Sequence, residues 1–322
     1  MRNSFTILIL LLTVGSLTAQ QFPQYTMFSL NRFAVNPAYA GLENSFVATG
    51  VYRQQWVGIP NSPTSQRLNA HSPIGFLGGG LGVEIENETL GAERHFSAGL
   101  TYSYQVQVGR KGILSFGLTG AYVQKGLDGA LIRTPDGNYE GPTIEHNDQL
   151  LTNGLEQGVA PTFHWGTYYQ GENIEAGIAV YNLLEQSASF DLFNYQLNRT
   201  YVATLSGDMY IGRKWQLKPS VLLKSIISQT QVDFSALVQY NDNIFGGASF
   251  RGYSSNSTDA LGLIAGFNIN EQLTLAYAYD LTLSPLQEVS SGSHEVIIRY
   301  DLGKPIGKGK LPPIIYNPRL LD

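Results

Sequence analysis

Between Glu93 and Lys125, apolar and polar side chains alternate with a strict period of two. Phe96, Ala98, Leu100, Tyr102, Tyr104, Val106 and Val108 are interleaved with Ser97, Gly99, Thr101, Ser103, Gln105 and Gln107. After Gly109-Arg110-Lys111-Gly112 the alternation resumes. Leu114, Phe116, Leu118 and Tyr122 fall on one side, Ser115, Gly117, Thr119 and Ala121 on the other. Period two is the strand repeat, so one face of each strand meets an apolar medium and the other a polar one. Runs of about a dozen residues are roughly twice the usual strand length and suit a tilted strand crossing a bilayer.

The same pattern recurs along the chain and predicts about 14 strands. They centre on 44–56, 64–72, 79–87, 95–108, 113–126, 157–169, 173–182, 198–211, 215–227, 231–240, 244–252, 260–268, 272–282 and 293–302. Every second connection is tight and rich in Gly, Asn or Asp: 109–112, 170–173, 212–214, 241–243 and 268–271. The intervening ones are often longer: 127–156, 183–197, 253–259 and 284–292. Short turns at one rim and long loops at the other, with an even strand count, mark an outer-membrane barrel with its short rim periplasmic. The fold class expected is therefore all-β, a single-chain antiparallel outer-membrane barrel of about 14 strands over residues 43–303. Both termini are expected on the periplasmic side.

Phase assigns the faces. Outward go Leu81, Val83, Ile85, Phe234, Val238, Leu263, Phe267, Tyr277, Val296, Ile298 and Tyr300, among others. Inward go Glu84, Glu86, Lys218, Lys224, Asp233, Arg251, Glu295, Arg299 and Asp301. A charge on the lipid face near the midplane costs about 2–4 kcal/mol, which enforces this partition. Mixed signs inside suggest ion pairs bracing the wall more than a channel of one sign.

Composition narrows the class further. Charged residues make up 14% of the chain beside 19 Tyr and 15 Phe, which argues against disorder. Residues 1–19 read as a signal peptide, with basic Arg2, an apolar run at Ile7–Val14 and small residues at Ser16–Ala19. No later stretch is long and apolar enough for a membrane helix, and in lipid only a closed barrel satisfies every backbone group without helices. With no Cys there is no disulfide, thiolate site or Cys nucleophile. A net charge of -5 without a basic cluster argues against nucleic acid as a partner. Outer-membrane lipid is the expected surroundings.

Two end segments break the strand period. Residues 20–42 contain Asn31-Arg32-Phe33-Ala34-Val35-Asn36-Pro37-Ala38-Tyr39-Ala40-Gly41, too aromatic for a linker. They are expected as a periplasmic, plug-like segment at or inside the barrel mouth, with Asn36, Pro37, Tyr39 and Gly41 as its motif. Residues 304–322 form a tail with Lys304, Lys308, Lys310 and Pro312-Pro313, extended by its prolines and expected in the periplasm. It reads as a disordered end or as a docking peptide.

Chemistry-bearing residues are sparse. His71, His95, His146, His164 and His294 show no spacing of a Ser-His-acid or metal set, so no catalytic, cofactor or metal site is expected. The acidic run Asp128, Asp136, Glu140, Glu145 and Asp148 fits no calcium loop. Partner contacts are expected at Arg53 and Trp56 at the end of the first strand. They are also expected at Phe190, Phe193 and Tyr195 in an apolar loop. For Trp56 an interfacial belt position is the competing reading.

Several stretches resemble the PorP/SprF family of outer-membrane proteins of the type IX secretion and gliding system. They are Gln24-Tyr25, Asn36-Pro37-Ala38-Tyr39-Ala40-Gly41, Tyr52-Arg53-Gln54-Gln55-Trp56-Val57-Gly58, Thr64 and His71-Ser72-Pro73. Near the other end they are Tyr279-Asp280, Leu283-Ser284 and Ser293-His294-Glu295-Val296. The resemblance implies a 14-stranded barrel that exports or retains surface adhesins through their C-terminal domains, in contact with periplasmic secretion components. The tail departs from the family pattern. The function expected is thus a non-enzymatic secretion accessory. The alternatives are a porin or transporter for small or hydrophobic solutes, and a barrel-embedded lipid hydrolase.

Overall fold

The computed structural model describes residues 23–141, 143–148, 151–190, 194–226, 229–253 and 258–305. The segment 1–19 expected as a signal peptide, Phe193 and the tail beyond Pro305 lie outside them. Strand segments follow in chain order as β1 (Val47–Gln54), β2 (Thr64–Ile74), β3 (Gly79–Leu90), β4 (Glu93–Val108), β5 (Gly112–Asp128) and β6 (Leu155–Gln170). Next come β7 (Ile174–Tyr181), β8 (Ser187–Ser189), β9 (Asn194–Gln196), β10 (Thr200–Gly207), β11 (Met209–Ile211) and β12 (Trp215–Ile226). The last are β13 (Gln229–Tyr240), β14 (Ile244–Arg251), β15 (Ala260–Asn268), β16 (Leu273–Thr282) and β17 (Ser293–Asp301).

β8 and β9 pair only with each other, as a small hairpin in the β7–β10 connection. β10 and β11 are one wall strand interrupted at Asp208, and both pair with β12. The rest run antiparallel, each beside its neighbour in sequence. β1 pairs with β17 from Val47↔Asp301 to Gln54↔His294. That pairing closes the wall into a barrel of 14 strands and leaves no sheet edge to be satisfied in lipid. No helix among the described residues is long and apolar enough to cross a membrane; this wall crosses with strands.

Alternation sets the two surfaces as the sequence pattern predicts. Leu68, Val83, Leu100, Leu118, Ile178, Leu205, Leu263 and Ile298 are exposed on the outside. Thr49, Asn69, Thr101, Ser103, Ser115, Thr119, Thr162 and Ser220 are buried on the inside. Exposed aromatics reach both ends of the strands. Tyr104, Tyr169, Tyr210, Trp215, Tyr240, Phe267 and Tyr300 lie at one rim, and Tyr52, Phe96, Tyr201, Phe250 and Tyr277 toward the other. Phe163, Trp165 and Phe234 are exposed mid-strand as well, so aromatics are spread over the outer wall and extend to both rims, where interfacial aromatics are favoured.

The rims differ. The turn rim holds Val47, Asp301 and the tight connections 75–78, 109–111, 171–173, 212–214, 241–243 and 269–272. The loop rim holds 55–63, 129–154, 182–199, 252–259 and 283–292, together with two short connections after Leu90 and Ile226. The sorting expected from sequence is present, with those two exceptions.

The barrel core is its own N-terminal segment. Residues 23–46 contain three single-turn 3-10 helices, Phe28–Leu30, Arg32–Ala34 and Pro37–Tyr39. Met27, Ala38 and Ala40 are 0% exposed, and Phe28, Phe33, Tyr39 and Leu42 are buried with them. The segment does not sit at one mouth, as expected; it runs the length of the lumen. Lys224 Nζ donates to the Pro23 carbonyl (2.9 Å), and Gln24 bonds Gln55 and Gln231, all at the loop rim. At the other end Phe46 exchanges backbone bonds with Leu302 and Lys304 at the turn rim. The two ends of the described chain therefore lie at opposite rims. The termini themselves, expected on one side, lie outside the described residues; Pro23 and Gln24 are held at the loop rim and not beside the start of β1.

Candidate functional site

The inward faces of β1, β13, β14, β16 and β17 converge on the upstream part of the plug. In β1, Val47, Thr49, Val51 and Arg53 point inward. Arg53, 1% exposed, donates to Thr26 Oγ1 (3.0 Å), Glu295 Oε2 (3.0 Å) and Asp280 Oδ2 (2.7 Å). Glu295, 0% exposed, accepts the backbone N–H groups of Thr26 (2.7 Å) and Met27 (3.0 Å). Thr26 Oγ1 lies 2.7 Å from Asp280 Oδ2. Arg251 continues the network to Asp233 (2.7 Å) and approaches Asp280 (3.7 Å). A charge this deep persists only when paired and hydrogen-bonded, and here the pairing includes the plug backbone.

Lower in the lumen Arg67 binds both carboxylate oxygens of Glu86 and donates to the Ala34 carbonyl at 2.6 Å. Tyr25 donates to Glu86 at 2.7 Å and lies under the Arg67 guanidinium. Asn36 has a double role. Its Oδ1 accepts the Ala38 N–H and so caps the turn that Pro37 opens, while its Nδ2 donates to the Thr167 and Ile178 carbonyls of the wall. Tyr39 packs edge-on against Tyr168, with ring centroids 5.1 Å apart. Arg32 pairs with Glu175 at 2.8 Å, and Glu43 pairs with Arg299 at the turn rim.

Backbone approaches backbone where the wall has no side chain. A Cβ on Gly82 would stand 2.3 Å from the Phe33 ring, and one on Gly117 2.3 Å from the Ala38 nitrogen. Gly41 itself has φ of +76° and faces Gly80 and Pro73, with its N–H given to His71 Nδ1. Only glycine takes both the left-handed conformation and that proximity without strain.

Space remains on both sides of the plug. Toward the loop rim lies a cavity of about 100 Å³ lined by Pro23, Arg67, Glu84, Glu86, Glu88 and Lys125 among others, and partly roofed by Tyr195 and Leu197. Toward the turn rim a cavity of about 250 Å³ adjoins Arg32, Tyr39, Glu43, Lys218 and Arg299. The plug stands between them.

Each residue singled out from the sequence can now be placed. Arg53 is enclosed in the lumen and so is removed from any partner docking outside; it holds the plug. The strand phase contained this, since Tyr52 beside it is 45% exposed. Trp56 is half-buried just past β1, with φ of +53° and its N–H given to Ser293 Oγ. Phe190 is buried with Ala188, Leu197, Val123 and Ala160, and Tyr195 packs on that cluster with its ring under Lys125 Nζ at 5.0 Å. Those two aromatics thus turn inward onto the wall, not outward as a docking face, because the β8–β9 hairpin folds the loop over the mouth. Asn36, Pro37, Tyr39 and Gly41 sit in the plug as described. The histidines disperse: His71 at the plug end, His146 in a loop against Tyr139, His294 beside Tyr277 on the outer face. Only His95 and His164 share the loop-rim cavity. Sequence reasoning placed Asp233, Arg251 and Glu295 inside but not in one cluster with Thr26 and Asp280; no local pattern links residues this far apart in the chain.

A family model described as "Type IX secretion system membrane protein PorP/SprF" matches residues 17–300. No curated protein matches the chain. Several solved structures are similar in fold. The Acinetobacter baumannii outer membrane protein Omp33 is 8% identical, with 80% of this chain and 98% of that one covered at a TM-score of 0.46. The Ralstonia pickettii toluene transporter TbuX is 13% identical over 84% and 92%, at 0.48. The CymD monoaromatic hydrocarbon channel is 12% identical over 89% and 94%, at 0.49. At such identities nothing about function passes from them to this chain.

Proposed function

The chain belongs to the PorP/SprF family of type IX secretion system membrane proteins, and from that membership we propose that it is a plugged, non-enzymatic barrel that captures exported proteins. The captured group is the C-terminal domain of an exported, adhesin-type protein, held at the loop rim. The turn rim faces the periplasm and its secretion components, in keeping with the short-turn, long-loop sorting of outer-membrane barrels. Gliding adhesins are one class of cargo that such a barrel serves.

The single observation that carries this reading is the filled lumen. A solute channel needs a continuous path, yet here residues 23–46 occupy the interior and bond the wall at both ends. Ion pairs brace the interior, and Asn69, Ser103 and Gln105 of the wall bond Asn31 and the Ala40 carbonyl of the plug. Such an interior suits a scaffold that presents a rim more than one that conducts.

Deletion of the gene, followed by surface proteomics of intact cells and uptake assays, tests the proposal. One or a few exported proteins should leave the surface while uptake of small hydrophobic solutes stays as in the parent. An unchanged surface proteome with impaired uptake would establish the transporter reading instead. Loss of a lipid-hydrolysing activity that also disappears on His164→Ala would establish the hydrolase.

A further inference from the structure

The described plug has its two ends at different mouths of the barrel. Its fixed end is joined to β1 at the turn rim, where Phe46 is bonded to Leu302 and Lys304. Its upstream end lies within two residues of the opposite strand ends. Lys224, which holds the Pro23 carbonyl, is two residues from the end of β12; Gln231 is two residues into β13; Gln55 is the first residue after β1. Between these ends the lumen is occupied. Thr26 and Met27 are bonded to Glu295, Ala34 to Arg67, Asn36 to Thr167 and Ile178, and Met27, Ala38 and Ala40 are wholly enclosed. Beside Thr26 the Arg53–Asp280–Glu295 cluster, whose side chains are at most 2% exposed, fills the space between plug and wall.

We infer that the two described ends of the barrel unit, Pro23 held at the loop rim and Lys304 bonded to Phe46 at the turn rim, lie on opposite sides of the membrane. Naming the loop side as the cell surface rests on the proposed function; the opposition of the two ends does not. The consequence is mechanical. Covalent attachment to β1 blocks withdrawal of the plug toward the loop rim, whereas withdrawal toward the turn rim drags the free end through the barrel. The free end also belongs to the loop-rim cavity, because Pro23 lines it together with Arg67, Glu86 and Tyr181. Arg67 and Tyr181 both donate to the Ala34 carbonyl, so whatever enters that mouth touches the residues that seat the plug.

Three epitope insertions test this in cells, each checked for a folded barrel by its heat-modifiable migration. One lies between Gln21 and Phe22, one between Gly137 and Asn138 in the β5–β6 loop, and one follows Asp322. Antibody binding to intact and permeabilised cells assigns a side to each. The N-terminal and loop epitopes should share a side, with the C-terminal epitope on the other. An N-terminal epitope that follows the C-terminal one would overturn the inference. Should the loop epitope prove internal with the N-terminal one beside it, the inference stands and the assigned orientation fails. If the insertion ahead of Phe22 prevents folding, Gln21→Cys in this cysteine-free chain gives the same reading with a membrane-impermeant maleimide.

Discussion

Replacing Arg53 by alanine should unseat the plug while leaving the wall intact. The substitution removes three hydrogen bonds, to Thr26, Glu295 and Asp280 at 2.7–3.0 Å, from a site where the guanidinium is 2% exposed. Two carboxylates then lose a cation that they shared with no bulk water between, and Arg251 reaches only Asp280, at 3.7 Å. Breaking a buried pair by removing one partner costs about 3–5 kcal/mol. The wall keeps its strand ladder, so the loss falls on the plug, which Glu295 holds through the Thr26 and Met27 N–H groups. At about 1.4 kcal/mol per tenfold, a loss of about 4 kcal/mol raises the plug-open population roughly a thousandfold. Because the chain has no Cys, Met27→Cys supplies a single thiol at a position 0% exposed. Its maleimide-labelling rate in vesicles then reports the opening equilibrium. Arg53→Ala should speed labelling by two to four orders of magnitude, and Arg53→Met combined with Glu295→Gln by far less, since the pair is removed together. Labelling of Arg53→Ala at the parental rate would refute the reasoning and show that water already screens the cluster.

Other outcomes follow from the same geometry. Gly117→Val places side-chain atoms where the Ala38 backbone lies; overpacking of this kind costs about 1–3 kcal/mol, read as protease cleavage within residues 23–46 while the barrel still migrates as folded. Leu263→Arg on the outer face, where Leu263 is 52% exposed, should destabilise the barrel in lipid by about 2–4 kcal/mol in refolding titrations, and an effect no larger than that of Leu263→Ala would contradict the lipid-facing assignment. Burial pushes the Glu43 carboxyl up, but Arg299 beside it, helped by His71 and Arg32, holds it below the ordinary 4.5. Its contribution is therefore present above the ordinary carboxylate range and lost as pH falls through the depressed value. Acid should loosen the turn-rim end of the plug, and Glu43→Gln should abolish that pH dependence in the protease assay.

The wall was legible in the sequence because its physics is local. Period two over β4 and β5 states which side chains meet lipid, and Gly, Asn and Asp at 109–112, 212–214 and 241–243 state where the chain turns. The break at Asp208 and the β8–β9 hairpin were not visible, the first because it interrupts one residue of a long alternation, the second because its strands have three residues each. The plug could be recognised as non-strand and aromatic, but not its path, since three single-turn helices carry no period and every contact that orients them is made to distant wall residues. Arg53 shows the boundary well. Its neighbourhood beside Trp56 suggested an exposed rim, while its phase opposite Tyr52 already pointed inward; long-range charge pairing with Asp280 and Glu295 decided the matter.

The central claim is that this barrel holds proteins and does not conduct solutes. Affinity purification of the natively expressed protein from outer membranes, with mass spectrometry of what accompanies it, tests that claim most directly. The account predicts recovery of an exported protein through its C-terminal domain, together with periplasmic secretion components. Recovery of the barrel with lipid and neither of these would contradict it.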